Sequence, residues 1–206
     1  EQSALKNIRS NGLRAIVLDE GDSLISVLQT TGEENIFVAT YNGMAVCFDE
    51  SELRPLGRNA MGVRGIRLRD GDYVVGAGSS LAGEAVLTIT EKGYGKRTLL
   101  SEYSIHGRGG IGIKNYQVTD KTGGIADVKM VNPGEDILVI SDDGTIIRMA
   151  VDHISVLGRS TQGVRIMRLA EGSRVISIER TEREQGEDEV EETEVTEDAP
   201  EGNDEE

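Results

Sequence analysis

An all-β fold built from propeller-like blades is what this sequence predicts, and three observations carry the prediction. A motif recurs at a nearly constant period, as LGRNAMGVRGIRL at 56–68, HGRGGIGIKNYQV at 106–118 and LGRSTQGVRIMRL at 157–169. Before each recurrence stand two short runs rich in Val, Ile and Thr around an Asn-Gly, Lys-Gly or Asp-Gly pair. Those dipeptides supply the positive φ of a tight hairpin. Helical periodicity is absent over any useful length, and Pro55, Pro133 and Pro200 all fall in predicted loops or in the tail. Four short strands in about fifty residues is the size of one propeller blade.

The register of the repeat is tight. Gly43, Gly93 and Gly144 lie 50 and 51 residues apart, and Arg58, Arg108 and Arg159 follow fifteen residues after each. Gly62, Gly112 and Gly163 come four residues later, and Arg64, Lys114 and Arg165 two after those.

Taken in chain order, the first element is half a unit. IRSNGLRAIVLDEGDSLISV, residues 8–27, sets Gly12, Arg14 and Gly21 fifty residues before Gly62, Arg64 and Gly71, so residues 1–34 read as a partial blade. A sequence that opens on Glu1, partway through a repeat, is expected to be a piece of a longer polypeptide. NIFVATYNGMAVCF supplies the first hairpin of a blade at 35–84, and VRGIRLRDGDYVVGA a second around Gly71. AVLTITEKGYGKRTLL opens the blade at 85–134, whose second turn, TDKTGG, ends three residues late at Gly124. DILVISDDGTIIRMAV and VRIMRLAEGSRVISI give the two hairpins of the blade at 135–178. Alternation along VRGIRL and VRIMRL puts Arg64 and Arg67, or Arg165 and Arg168, on opposite faces of an ideal strand, so at most one of each pair is expected to touch DNA.

Residues 179–206 form an acidic tail. They hold 15 acidic and 2 basic residues with no aromatic, too little apolar surface to offset the entropy of ordering, and are expected to be disordered. The formal net charge of −15 therefore misdescribes the blades, which carry −2 over residues 1–178. Such a tail either keeps the chain soluble or competes with a polyanion for a basic surface.

Composition excludes other classes. With 37% hydrophobic residues the chain can bury a sizeable core, and no apolar run approaches a membrane span. No secretory leader pattern is present, and the single Cys47 can form no internal disulfide, which fits a cytoplasmic location. His106 and His153 have no cysteine at metal-ligand spacing, and Asp142 and Asp143 sit in a turn signal rather than in a pair suited to acid-base work. HGRGGIG lacks the Gly-Lys-Ser/Thr ending of a phosphate loop. With no tryptophan, the Trp-Asp and Gly-Gly-to-Trp signatures of WD40 and kelch blades are missing.

The unit LGRNAMGVRGIRLRDGD, the hairpin TEKGYGKRTLLSEY and the unit SDDGTIIRMAVDHISVLGRSTQGVRIMRL resemble the C-terminal domain of the DNA gyrase A subunit over residues 1–178. That resemblance implies a β-pinwheel of four-stranded antiparallel blades that exchange strands with their neighbours. It implies wrapping of double-stranded DNA around the rim in support of ATP-dependent negative supercoiling, the protein partners being the B subunit together with the rest of the A subunit. It also implies that the catalytic tyrosine, ATP and magnesium belong to other parts of the holoenzyme, so that this chain has no cofactor and no activity alone. The family's first-blade box, QRRGGKG, is absent; HGRGGIG keeps Arg108, Gly109, Gly110 and Gly112 but has Gly107 and Ile111 at two basic positions. The C-terminal domain of the topoisomerase IV A-type subunit shares the blade pattern and is one alternative; a protein-interaction propeller with purely structural arginines is the other.

A duplex held around a curved surface is gripped by its phosphates, which calls for cations at regular intervals rather than base-reading side chains. The candidates are Arg14, Arg64, Lys114 and Arg165 after the second-loop glycines, Arg58, Arg108 and Arg159 within the loops, and Lys96, Arg97 and Arg148 on the first hairpins. Only 3% aromatic residues argues against single-strand binding, which depends on base stacking.

Overall fold

The computed structural model describes residues 10–183, and the acidic run from residue 184 lies outside the described residues. Each Val/Ile/Thr-rich run forms a strand, and each Gly43, Gly93 or Gly144 turn closes a hairpin. These are β1 (Asn35–Thr40) with β2 (Met44–Asp49), β4 (Ala85–Thr90) with β5 (Tyr94–Leu99), and β8 (Glu135–Ser141) with β9 (Ile146–Ala150). A single turn of 3-10 helix follows each hairpin, at Glu50–Glu52, Leu100–Glu102 and Val151–His153. Asp143 acts as the turn residue its position suggests: its carboxylate accepts from Ser141 Oγ at 2.5 Å and Thr145 N at 2.9 Å.

The remaining strands are β3 (Val74–Ser79), β6 (Ile113–Lys114), β7 (Ile125–Val131), β10 (Val164–Arg165) and β11 (Val175–Glu182). They build two four-stranded sheets, ordered β3-β1-β2-β6 and β10-β5-β4-β7, and a three-stranded sheet ordered β11-β8-β9, all antiparallel. The second hairpin expected in each unit does not form. Its first arm leaves for the preceding sheet, where β6 pairs Ile113 with Ala45 and β10 pairs Val164 with Gly95, while its second arm, β7 or β11, stays with its own sheet. Alternation is the same in a hairpin and in two arms that part, so the local pattern does not separate them. This is the strand exchange that the resemblance implied.

Packing explains the repeat's glycines. A Cβ on Gly112 would stand 2.3 Å from the Ala45 carbonyl oxygen and one on Gly163 2.4 Å from that of Gly95, so the exchanged arm can lie against the neighbouring hairpin only without a side chain there.

β3, β7 and β11 pack on one another from sheet to sheet, which makes them the inner strands and sets β6 and β10 at the outer edge. The core lies between blades. β4 is buried along its whole length: Val86 packs with Phe37, Cys47 and Tyr116 on one side, and Leu87 and Ile89 with Ile137, Val139 and Ile178 on the other. Each such fully buried aliphatic side chain contributes about 1.5–3 kcal/mol. Residues 24–29, the counterpart of β3, form no strand, and Leu24, Ile25 and Val27 are exposed; among the described residues no hairpin precedes them to pair with. At the other end β11 runs four residues past the expected blade boundary at 178. Its backbone stays paired to β8 as far as Glu135, and Arg180 and Arg183 are held by Glu135, Asp136 and Asp152.

Candidate nucleic-acid interface

The loop arginines and the exchanged strands meet at the seams between units. Arg108 Nη1 donates to the Arg64 carbonyl at 3.1 Å, Arg159 Nη1 to the Lys114 carbonyl at 3.2 Å, and Arg58 Nη1 to the Arg14 carbonyl at 3.5 Å. One geometry recurs three times. It follows from loop docking: Arg67 N donates to Gly110 O at 2.7 Å and Gln117 N to Thr161 O at 3.1 Å, so each loop lies along the arm of the unit before it. Each seam thereby sets a loop guanidinium on the backbone of a second cationic residue, Arg58 on Arg14, Arg108 on Arg64, and Arg159 on Lys114.

Charge balance separates these residues from the rest. Among the described residues, the ion pairs involve Arg97, Lys129, Arg148, Arg174, Arg180 and Arg183. Among the same residues, none of the seam cations, and not Arg165, forms an ion pair with a carboxylate. Glu52 and Glu102 approach the loops, yet their carboxylates accept from the backbone N–H of Arg108 at 3.1 Å and of Arg159 at 3.3 Å. Arg14, Arg58, Arg64, Lys114 and Arg165 are exposed, and Arg108 and Arg159 half-buried. Arg165 lies 5.0 Å from the centre of the Tyr94 ring and donates to its hydroxyl at 2.5 Å.

The first-hairpin cations are a correction. Lys96 is fully buried; its ammonium donates to the carbonyls of Gly158 at 2.6 Å and Arg159 at 2.8 Å and sits 5.2 Å from the centre of the Tyr116 ring. Burial pulls its pKa down to about 8. Arg97 donates through Nε to the Ile154 carbonyl at 2.8 Å and pairs with Asp152 at 3.8 Å. Arg148 is bound to Asp136 at 2.9 Å and to the Glu182 carbonyl at 2.8 Å. All three hold elements together; Lys96 in particular anchors the loop that carries Arg159. The surrounding polar core is similarly committed, with Tyr103 bonded to Asn115 at 2.5 Å and Tyr116 to the Gln162 carbonyl. Burial raises the pKa of both phenols.

Exposure does not separate Arg64 from Arg67, or Arg165 from Arg168. All four are exposed, with Ile66 and Met167 buried between them. β10 is only two residues long, so no strand persists to impose opposite faces on Arg165 and Arg168. Arg67 and Arg168 therefore join the exposed cations, as do Arg54 and Arg69, which the repeat register did not mark because they have no counterparts in the other units.

Among the described residues no group of three His, Cys, Asp or Glu side chains could hold a metal ion, and no helix is long and apolar enough to cross a membrane.

Comparison with known proteins bears on the arrangement. The family model described as DNA gyrase C-terminal domain, beta-propeller, matches residues 2–31, 34–80, 84–132 and 135–182. The DNA gyrase A subunit of Staphylococcus epidermidis strain ATCC 12228 is 45% identical over 189 residues, covering 89% of this chain and 21% of that protein. This chain thus spans about a fifth of the length of the curated relatives it matches. A solved DNA gyrase A C-terminal domain superposes with a TM-score of 0.75 at 26% identity, covering 83% of this chain and 58% of the other. The C-terminal domain of a DNA topoisomerase IV gives 0.81 at 27%, covering 87% and 56%.

Proposed function

The chain belongs to the DNA gyrase C-terminal domain family of β-propellers, and from that premise we propose that its outer edge binds double-stranded DNA through the phosphates and wraps it. The wrapping serves a gyrase A subunit that works with the B subunit in ATP-dependent negative supercoiling. The catalytic tyrosine, ATP and magnesium lie elsewhere in that assembly, and this chain works without a cofactor, in the cytoplasm. Within the chain, residues 1–34, 35–84, 85–134 and 135–178 act as successive blade units, each lending an arm to the sheet before it.

One observation supports this reading above the others. Three seams repeat one contact, a loop arginine on the carbonyl of a second cationic residue, and none of those side chains forms an ion pair with a carboxylate among the described residues. Purely architectural arginines would be expected to meet carboxylates, as Arg97 and Arg148 do. Arg58 and Arg159 each spend one N–H on a carbonyl and Arg108 two, which leaves further guanidinium donors on each for phosphate. The 45% identity to a gyrase A subunit over 189 residues supports that parent.

The test is duplex binding by the intact protein as a function of salt. Contacts to about six phosphates give a slope of log affinity against log salt of about −5, with weak sequence preference. Bending 20 to 30 base pairs costs on the order of 1–6 kcal/mol, so easily bent DNA binds more tightly. A complex indifferent to salt, or confined to one sequence, overturns the proposal.

A further inference from the structure

The long turn of the middle unit makes a feature that the other units lack. Thr119–Gly123 carries Lys121 to within 5.2 Å of the centre of the Tyr94 ring, whose other neighbour is Arg165 at 5.0 Å. Tyr94 is buried and forms the floor of an open recess of about 480 Å³, walled by Lys92, Lys121, Arg165 and Arg174, with Glu91 at its margin. Arg174 is balanced by Glu91 at 3.8 Å and Asp142 at 3.5 Å. Lys92, Lys121 and Arg165 have no carboxylate within ion-pair distance among the described residues. Lys92 spends one donor on the Asp120 carbonyl and Arg165 one on the Tyr94 hydroxyl, which leaves each with donors to spare.

Three uncompensated cations around one concavity create a positive potential that an anion relieves. The repeat register shows that the recess is peculiar to the middle blade: Tyr94 and Lys92 correspond to Met44 and Asn42 in the unit before, and to Thr145 and Asp143 in the unit after. It is continuous with the outer edge, because Arg165 lies on the exchanged strand β10.

We propose that this recess is a phosphate site for the duplex, an anchor that fixes the DNA on the middle blade while the seams hold it at regular intervals. The inference rests on the DNA-binding reading above and adds a contact that the repeat itself does not encode. A phosphate oxygen seated between Lys92, Lys121 and Arg165 replaces water on all three, and Tyr94 keeps the Lys121 and Arg165 side chains over its ring.

Duplex affinity of the intact protein is measured against salt for the parent, Lys121→Ala and the double variant Lys92→Ala/Lys121→Ala. Both lysines are exposed, so the fold is expected to survive, and circular dichroism checks it. Each lost contact makes the salt slope shallower by about 0.9 and weakens binding about eightfold at 0.1 M salt. In a second measurement, acetylation of Lys92 and Lys121 is followed by mass spectrometry with duplex or with millimolar inorganic phosphate; protection by duplex is expected. A parent that binds in a salt-dependent way while both variants match it sinks the anchor and leaves the wider reading standing. Protection by inorganic phosphate without protection by duplex assigns the recess to a free anion and also overturns the proposal. A parent that does not bind duplex sinks both.

Discussion

Neutralising Arg64 and Lys114 together puts a number on the seam geometry. Both are exposed, both sit where a loop arginine docks on their carbonyl, and neither has a carboxylate partner among the described residues, so their removal leaves no buried charge behind. If each holds one phosphate, the double variant Arg64→Ala/Lys114→Ala loses two of about six contacts. The salt slope then moves from about −5 to about −3.5, and affinity at 0.1 M salt falls about sixtyfold, or about 2.5 kcal/mol. The control removes one charge of the same sign from the inner strand β7. Lys129 pairs there with Asp127 at 3.7 Å and Glu179 at 3.3 Å, and Lys129→Ala should leave the slope unchanged. Screening makes the comparison fair, since charges more than about 10 Å from the DNA are largely hidden at this ionic strength. Fluorescence anisotropy on a linear duplex at several salt concentrations reads both quantities. An unchanged slope in the double variant refutes phosphate contact at the seams; an equal shift in Lys129→Ala shows that net charge alone is being measured.

Three further outcomes are expected. Arg108→Lys keeps the charge but cannot reproduce the fork that reaches both the Arg64 and Glu52 carbonyls, so urea unfolding should show a loss of about 1 kcal/mol while the salt slope stays the same. Gly112→Ala should destabilise by more than the roughly 1–2 kcal/mol of a left-handed alanine, because its Cβ would also strike the Ala45 carbonyl, whereas Gly62→Ala, with nothing within 4 Å, should cost only the conformational part; thermal melts of the two separate the effects. Stability should depend on pH through Lys96: its folded pKa of about 8 lies below the unfolded value of 10.5, so the unfolded chain binds more protons between them and the urea midpoint should rise from pH 8 towards 10. Above pH 10 the raised pKa values of Tyr103 and Tyr116 reverse the sign, because the unfolded phenols ionise first and stability falls. Lys96→Met should abolish the rise and keep the fall.

How much of this could be read from the sequence depended on whether one unit or two decide a feature. The hairpins β1-β2, β4-β5 and β8-β9 are local: two β-branched runs and a glycine turn specify them, and all three form where the pattern places them. The partner of VRIM is not local. Val164 and Arg165 pair with Gly95 and Tyr94 across a separation of about seventy residues, and the only trace of it in the sequence is a glycine that must tolerate a carbonyl at van der Waals contact. An exchanged strand two residues long also ends before alternation can sort Arg165 from Arg168, so strand logic alone does not choose between them.

The same distinction explains which cations were misplaced. In an isolated hairpin both faces of β5 would meet solvent, and Lys96 and Arg97, on opposite faces, would both be surface residues. β10 and the loop at 155–159 come from the next unit and cover β5 from the side: Arg97 N donates to Ser155 O at 3.0 Å, Leu157 N to Arg97 O at 2.8 Å, and the Lys96 ammonium is left facing two carbonyls. Burying an ammonium is tolerable only where its donors are met, and the Gly158 and Arg159 carbonyls meet them. The corresponding position in the preceding unit is Val46, whose aliphatic side chain packs with Phe48 and Ile66. An apolar side chain and a lysine therefore occupy equivalent buried sites in neighbouring blades, and the lysine is met there by the Gly158 and Arg159 carbonyls. For a rim built by exchange, charge at a repeat position is not enough to mark a DNA contact. Arg58, Arg108 and Arg159 meet the stricter requirement, since among the described residues none of them is paired with a carboxylate after the neighbouring unit has docked, whereas Lys96 is buried on two carbonyls and Arg97 and Arg148 are held by Asp152 and Asp136.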